Sequence, residues 1–225
     1  MKRALPKAVL LWVVLAVALV FSGSLRDVCA AGVDAREDAI QPSEKYPRYW
    51  QYEGEPVLLF GGSKDDNLFQ IPDLEEHLDR LAGAGGNYIR NTMSSRQDRG
   101  FEVQPFKKVS GGKYDLNQWN PEYWRRLRHM LDLTSKRDII VQVELWAQWD
   151  LNGERWGDSP WNPANNINYS ASETSLKTSY GRLLRTGRKH DFFLTVPALE
   201  NDRTVLEYQQ RFVDEILSHT LQYNN

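Results

Sequence analysis

Apolar residues along this chain come in short blocks whose period changes from block to block. Pro56-Val57-Leu58-Leu59-Phe60 is a continuous apolar run closed by Gly61-Gly62, the pattern of a strand buried on both faces. Asp73 then stands three residues before Glu76, a capping-box spacing. Leu74, Leu78 and Leu81 follow at helical period, and Gly83, Gly85 and Gly86 stop the helix. Asn87-Tyr88-Ile89-Arg90-Asn91 reads as a second short strand. Asn120-Pro121 supplies an N-cap and a first helical residue, with Trp124, Leu127 and Leu131 striping the helix behind it. Ile139 to Trp146 is rich in β-branched residues and predicts a third strand. A last helix is expected from Asn201-Asp202 onward, carrying Leu206, Phe212, Val213, Ile216 and Leu217.

Strand followed by helix, three times over, is the signature of parallel βα units. A doubly wound open sheet and a closed eight-stranded barrel both fit. A complete barrel needs about 250 residues, and this chain stops at Leu221-Gln222-Tyr223-Asn224-Asn225, where a next strand would begin. The expectation is an incomplete (β/α)8 TIM-barrel-type domain over residues 49–225, holding about its first three βα units and belonging to something longer. Residues 31–48, polar and broken by Pro42 and Pro47, read as a flexible lead-in.

The N-terminus has a different character. Lys2, Arg3 and Lys7 precede the apolar run Ala8–Phe21, too short for a spanning helix of about 20 residues, and Val28-Cys29-Ala30 offers a cleavage site before Ala31. Residues 1–30 therefore read as a signal peptide. The mature chain is expected to be secreted or periplasmic, with no stable membrane anchor after cleavage. Arg26 stands where a lipoprotein signal would place Leu. Cys29, the single cysteine, would leave with the signal, so no disulfide or cysteine-based metal site is expected.

With 225 residues, 41% hydrophobic and 26% charged, the chain has the proportions of a globular protein. Four basic side chains but only Asp27 among the acidic ones fall in the first 30 residues, so the remainder is more acidic than the formal net charge of −2. An acidic domain without clustered Lys and Arg does not suit a phosphate backbone, and nucleic acid is set aside as a partner.

In either architecture, ligands bind at the C-terminal ends of the strands. Those ends read Gly61-Gly62-Ser63-Lys64-Asp65-Asp66-Asn67, Arg90-Asn91-Thr92-Met93-Ser94 and Glu144-Leu145-Trp146-Ala147-Gln148-Trp149-Asp150. Carboxylates, amides, a guanidinium and tryptophans converge there, the groups that hydrogen-bond sugar hydroxyls and stack on sugar faces. A single loop Asp is more often a turn residue and a single Trp more often core; it is the repetition at three successive ends that points to a site. The candidates are Asp66, Asn67, Arg90, Asn91, Glu144, Trp146, Trp149 and Trp161. Trp146, Trp149, Trp156 and Trp161 are too irregularly spaced for one helix stripe. They predict a loop that buries about two of them and turns at least one toward ligand, continued by the polar stretch Asn162–Tyr169. No cofactor is expected: Gly61-Gly62-Ser63-Lys64 lacks phosphate-loop spacing. No metal is expected either, because His77, His129, His190 and His219 are scattered and Asp65-Asp66 alone is a weak signal.

Gly61-Gly62-Ser63, Asp66-Asn67-Leu68-Phe69, Ile89-Arg90-Asn91, Tyr114-Asp115-Leu116-Asn117, Trp119-Asn120 and Tyr123-Trp124 resemble secreted cellulase-like glycoside hydrolases of the retaining (β/α)8-barrel clan. The resemblance covers roughly residues 50–225. It implies a carbohydrate substrate, and it gives Arg90 the role of the strand-two arginine that supports the nucleophile. It also implies an acid/base Glu after an Asn at the end of strand four and a nucleophilic Glu at the end of strand seven. Neither position exists here, and Glu144 matches neither role. Retaining hydrolysis needs two carboxyls about 5–5.5 Å apart, so the chain by itself is expected to hydrolyse no glycoside. The alternative is a non-catalytic carbohydrate-binding or surface-interaction protein.

Overall fold

The computed structural model describes residues 38–93, 97, 99–181, 190–195 and 202–225. The expected signal segment, with Cys29 and the cleavage site at Ala30, lies outside these, as do Ser94 and Asn201. Among the described residues no helix is long and apolar enough to cross a membrane.

Gln41–Pro42 (β1), Trp50–Tyr52 (β2) and Glu55–Val57 (β3) form an antiparallel meander, in register Gln41↔Gln51 and Trp50↔Val57. Two residues of the expected lead-in are thus paired. The turn between β2 and β3 needs positive φ at Glu53 and Gly54, which only the glycine adopts without strain. The helix Leu74–Gly83 (α1) follows, then Tyr88–Thr92 (β4), the hairpin Phe106–Lys108 (β5) and Tyr114–Trp119 (β6), and the helix Pro121–Ser135 (α2). Ile140–Glu144 (β7), the short helix Glu154–Asp158 (α3) and the helix Arg203–Thr220 (α4) complete the order.

The centre is the parallel pair β4–β7, matched from Tyr88↔Ile140 to Thr92↔Glu144. The segment before β4 corrects the expected first strand. Only Gly61 bridges to Tyr88, in parallel, and the chain ahead of it is held by Asn87: its amide oxygen accepts from Phe60 N (2.8 Å), its Nδ2 donates to Leu58 O (3.1 Å), and its backbone N donates to Phe60 O (2.8 Å). Leu58 and Phe60 are 74% and 65% exposed. A double-sided apolar run needs a covering layer on each face, and no described element covers this one.

The helices form where their caps are. Asn120 Oδ1 accepts from Glu122 N (3.1 Å) with Pro121 in the first turn, and Tyr123, Trp124, Leu127, Met130 and Leu131 are buried on one side of α2. Asp202 Oδ1 accepts from Val205 N (3.1 Å), and Phe212 and Ile216 of α4 are buried, whereas Leu217 is exposed. The expected Asp73 capping box is not made. Asp73 has φ −105° and ψ 36°, away from the extended conformation a cap needs, and its carboxylate is paired with Lys64 instead. Phe106, Trp119, Trp124, Trp146, Trp161, Phe192 and Phe212 stack into one aromatic core between the hairpin, α2 and α4. The described ends meet: Ile40 N donates to Asn224 O (3.1 Å), and Asn225 Nδ2 donates to Ile139 O (2.6 Å) just ahead of β7.

Candidate functional site

Successive side chains of a strand point to opposite faces, so the register of β4 and β7 sorts their residues. Ile89, Asn91, Val141 and Val143 share one face. Tyr88, Arg90, Thr92, Ile140, Gln142 and Glu144 share the other, a row of polar groups apart from the buried Ile140 at its start. At the start of that row the Tyr88 hydroxyl is hydrogen-bonded to Gln142 Oε1. At its C-terminal end Arg90 Nη2 meets Asp66 Oδ1 at 2.6 Å and Arg90 Nη1 meets Glu144 Oε2 at 3.3 Å, while Thr92 Oγ1 donates to the same Glu144 oxygen at 2.8 Å. Backbone bonds fix the ends around this chain of charges: Thr92 N donates to Asp66 O (2.7 Å), Met93 N to Glu144 O (2.8 Å) and Arg90 N to Ser63 Oγ (3.1 Å). Behind it Asp65, nearly buried, lies 3.4 Å from Arg99.

Three of the expected residues, Asp66, Arg90 and Glu144, are therefore brought together, Arg90 and Glu144 by β4 and β7 and Asp66 by the loop that follows the Gly61 bridge. They remain partly exposed, so the ion pairs contribute at most about 1 kcal/mol each and serve geometry more than stability. A guanidinium lies between the two carboxylates. The arrangement offers fixed acceptors and donors to hydroxyl groups; the space an acid and a nucleophile would keep for a glycosidic bond is filled by Arg90.

The other expected residues go elsewhere. Asn91 faces the helices and is buried; its Oδ1 accepts from Phe69 N (3.0 Å), tying β4 to the 3₁₀ turn Leu68–Gln70. Asn67 is fully buried, with neither amide atom hydrogen-bonded to a described residue, and it is Asp66 rather than Asn67 that reaches Arg90. Trp161 is 1% exposed, edge-on to Phe106, Phe192 and Phe212, and is a core residue. Trp156 is buried too, its Nε1 donating to Lys177 O (2.7 Å). Trp146 is half-buried against Phe192 and Phe212. Trp149 is 58% exposed, with the Arg155 guanidinium 5.7 Å from its ring centre.

The asparagine-rich stretch turns its amides inward to brace the loop. Asn162 Nδ2 donates to Trp156 O and Thr178 O (both 3.0 Å), and Asn166 donates to Pro160 O (3.2 Å) and accepts from Asn168 N (3.0 Å). An amide carries donors and acceptors together, which suits it to close irregular backbone. The loop is latched to the hairpin: Tyr114 N donates to Asn165 O (2.8 Å), Leu116 N to Asn168 Oδ1 (2.7 Å), and Asn168 Nδ2 to Asp115 Oδ1 (3.0 Å). The Asn168 bond, opposed in part by burial and helped by Asn117 N and Gln118, holds the Asp115 carboxyl below the usual range. Arg211 of α4 grips the same hairpin through Asn117 Oδ1 (2.6 Å).

A family model described as a domain of unknown function, DUF6298, matches residues 98–179. That span holds the hairpin, α2, β7 and the asparagine-braced loop. Glu144, Trp146, Trp149 and Trp161 lie inside it; Asp66, Asn67, Arg90 and Asn91 lie before it. No curated protein matches. The structure is similar to a glycoside hydrolase family 5 mannosidase from Rhizomucor miehei, at 15% identity and a TM-score of 0.43 over 80% of this chain and 42% of that one. It is also similar to a putative glycoside hydrolase from Bacteroides vulgatus, at 17% identity and a TM-score of 0.41 over 56% and 27%. A family 5 glycoside hydrolase from the same organism gives 16% identity and a TM-score of 0.36 over 59% and 32%. The chain spans between 27% and 42% of the length of these structures.

Sequence reasoning missed Tyr88, Thr92 and Gln142 as members of the polar row. The signal was present: polar residues at alternate positions of β4 and β7 whose partners at the intervening positions are apolar or buried.

Proposed function

We propose that this chain is the strand-end, carbohydrate-contacting portion of a glycoside-hydrolase-type protein exported from the cell and acting on an oligosaccharide or polysaccharide. The observation that supports the reading is the Asp66–Arg90–Glu144 cluster, built at the β4–β7 pair by two strand residues and the loop after Gly61 and left partly open to solvent. Trp149 offers an aromatic face for a sugar ring, since ring C–H groups pack on aromatic π-surfaces while hydroxyls bind the charged groups. In this reading Arg90 orients carboxylates and hydroxyls, and the acid and nucleophile come from strand ends beyond these three units. Cleavage near Ala30 would deliver the chain to a secreted or periplasmic location.

The test is titration of the full chain with a panel of soluble neutral oligosaccharides, read by calorimetry and by tryptophan fluorescence. Saturable binding that Trp149→Ala or Asp66→Ala weakens about tenfold, a loss near 1.4 kcal/mol, is the expected result. Absence of saturable binding across the panel, or binding indifferent to both substitutions, would overturn the proposal.

A further inference from the structure

Asn152-Gly153 is the only asparagine–glycine pair in the sequence. It stands in the loop that follows β7, between the exposed Trp149 and the helix α3. The side-chain amide carbon of an asparagine is one ring closure away from the backbone nitrogen of the next residue. Closure needs that nitrogen to be unshielded, unbonded and able to turn toward the amide.

Gly153 meets each condition. It has no side chain, and around the place where a Cβ would stand no described atom lies within 4 Å beyond its chain neighbours. Its nitrogen donates to no described group. Its φ of 60° and ψ of −127° lie where glycine turns without strain. Asn152 is half-buried, so water reaches it. The backbone bonds on either side are long: Asn152 N donates to Trp149 O and Trp156 N to Gly153 O, each at 3.3 Å, beyond the usual range of about 2.7–3.2 Å.

The other asparagines of this loop are closed to the same chemistry. Asn162 precedes proline, which has no N–H to attack with. Asn165 and Asn166 each donate Nδ2 to two backbone carbonyls, and Asn168 donates its own to Asp115. Each of these three is followed by a residue larger than glycine.

We propose that Asn152 is a site of spontaneous deamidation, at which the folded chain converts to aspartate and isoaspartate forms. Base takes the Gly153 N–H proton and the nitrogen bonds to Asn152 Cγ. The Cγ–Nδ2 bond then breaks, and Nδ2 leaves as ammonia after taking a proton from water. A second water opens the cyclic imide: entry at Cγ leaves aspartate, and entry at the main-chain carbonyl carbon leaves isoaspartate. Nothing is oxidised or reduced. Either product places a carboxylate two residues after the buried Asp150. Isoaspartate also lengthens the main chain by one methylene between the two long backbone bonds. The site is separate from the Asp66–Arg90–Glu144 cluster and does not rest on the carbohydrate reading.

The test holds the full chain in mildly alkaline buffer and digests samples at intervals, with the free peptide Trp149–Arg155 as reference. Mass spectrometry follows the gain of one mass unit, and fragmentation tells isoaspartate from aspartate. Asn152 should convert before any other asparagine, at a rate within about tenfold of the peptide, a barrier difference under about 1.4 kcal/mol. Asn152→Gln should abolish conversion in that segment, because its six-membered imide closes far more slowly. Conversion more than about tenfold slower than in the peptide would overturn the proposal. So would earlier conversion at another asparagine, or a mass gain that persists in this segment of folded Asn152→Gln.

Discussion

Asn168 carries the latch between the long loop and the β5–β6 hairpin, and its removal gives a sharp expectation. Leu116 is fully buried, and its N–H has Asn168 Oδ1 as acceptor at 2.7 Å. Asn168→Ala strips that acceptor, leaving a buried amide unsatisfied at about 1–3 kcal/mol. It also removes the 3.0 Å bond to Asp115, which keeps Asn117 N at 2.9 Å and Gln118 Nε2 at 2.6 Å, so this second loss is about 1 kcal/mol. Together the substitution should cost about 2–4 kcal/mol, a large share of a domain's usual 5–15 kcal/mol. Urea denaturation measures the total, and hydrogen exchange at Leu116 localises it. Asn168→Asp separates the two parts: the acceptor for Leu116 survives, but a second carboxylate faces Asp115, so the variant should regain stability as the pair is protonated in acid. A loss under about 0.5 kcal/mol in Asn168→Ala, with the Leu116 amide still protected, would refute the reasoning.

Burial against Trp156 and Tyr180 pushes the His190 imidazole down to about 4, despite the opposing charge of Asp191. The unfolded imidazole takes its proton near 6.5, so stability is full above that pH and falls by up to about 3 kcal/mol on acidification from 6.5 toward 4. Denaturation midpoints across that window should show the slope, and His190→Asn should flatten it; an unchanged slope would remove His190 as its cause. Arg125 and Arg126 hold Glu122 at about 2, which adds a second, solvent-discounted loss of under about 1 kcal/mol between pH 4.5 and 2; Glu122→Gln should erase it. A Cβ at Gly61 would lie 1.9 Å from Tyr88 O, and backbone cannot yield as a side-chain tip can. Gly61→Ala should therefore cost about 1–3 kcal/mol and speed exchange at the Asn87 amide; wild-type protection there would show that the segment is not held to β4.

The elements legible in the sequence are those whose own residues decide them. Asn120-Pro121 and Asp202 cap their helices locally, and Ile140–Val143 is β-branched enough to be a strand in most surroundings. The β5–β6 hairpin carried a signal too, Gly111-Gly112 at positive φ between two strands, but its strands are uneven and bulged between Phe106 and Lys107, which blurs the alternation. The meander was illegible because strands of two or three residues containing Pro42 and Pro56 have no period to read. The first strand was misread because an apolar run states only that burial is possible; whether anything covers Leu58 and Phe60 is a tertiary matter. The same divide runs through the site. Residue type suggested Asp66, Arg90 and Glu144, and β4, β7 and the loop after Gly61 bring them together, whereas the face on which Asn91 stands is set by register, and a tryptophan such as Trp161 is equally suited to a sugar and to a core. The asparagines looked like ligands for hydroxyls because the chemistry that binds a hydroxyl also braces a loop.

The contact of Asn225 with Ile139 bears on how the molecule can be handled. Ile139 precedes β7 and Glu144 ends it, so Asn225 and the charged cluster stand at opposite ends of the strand, roughly 16 Å apart along its axis at about 3.3 Å per residue. A linker attached after Asn225 would anchor the molecule to a sensor or bead with the Asp66–Arg90–Glu144 cluster turned outward into solution. Ile40 shares that corner through Asn224, so a bulky fusion ahead of Asp38 and another after Asn225 would crowd the same patch. One tether, placed at the C-terminal side, leaves both the meander and the polar face free.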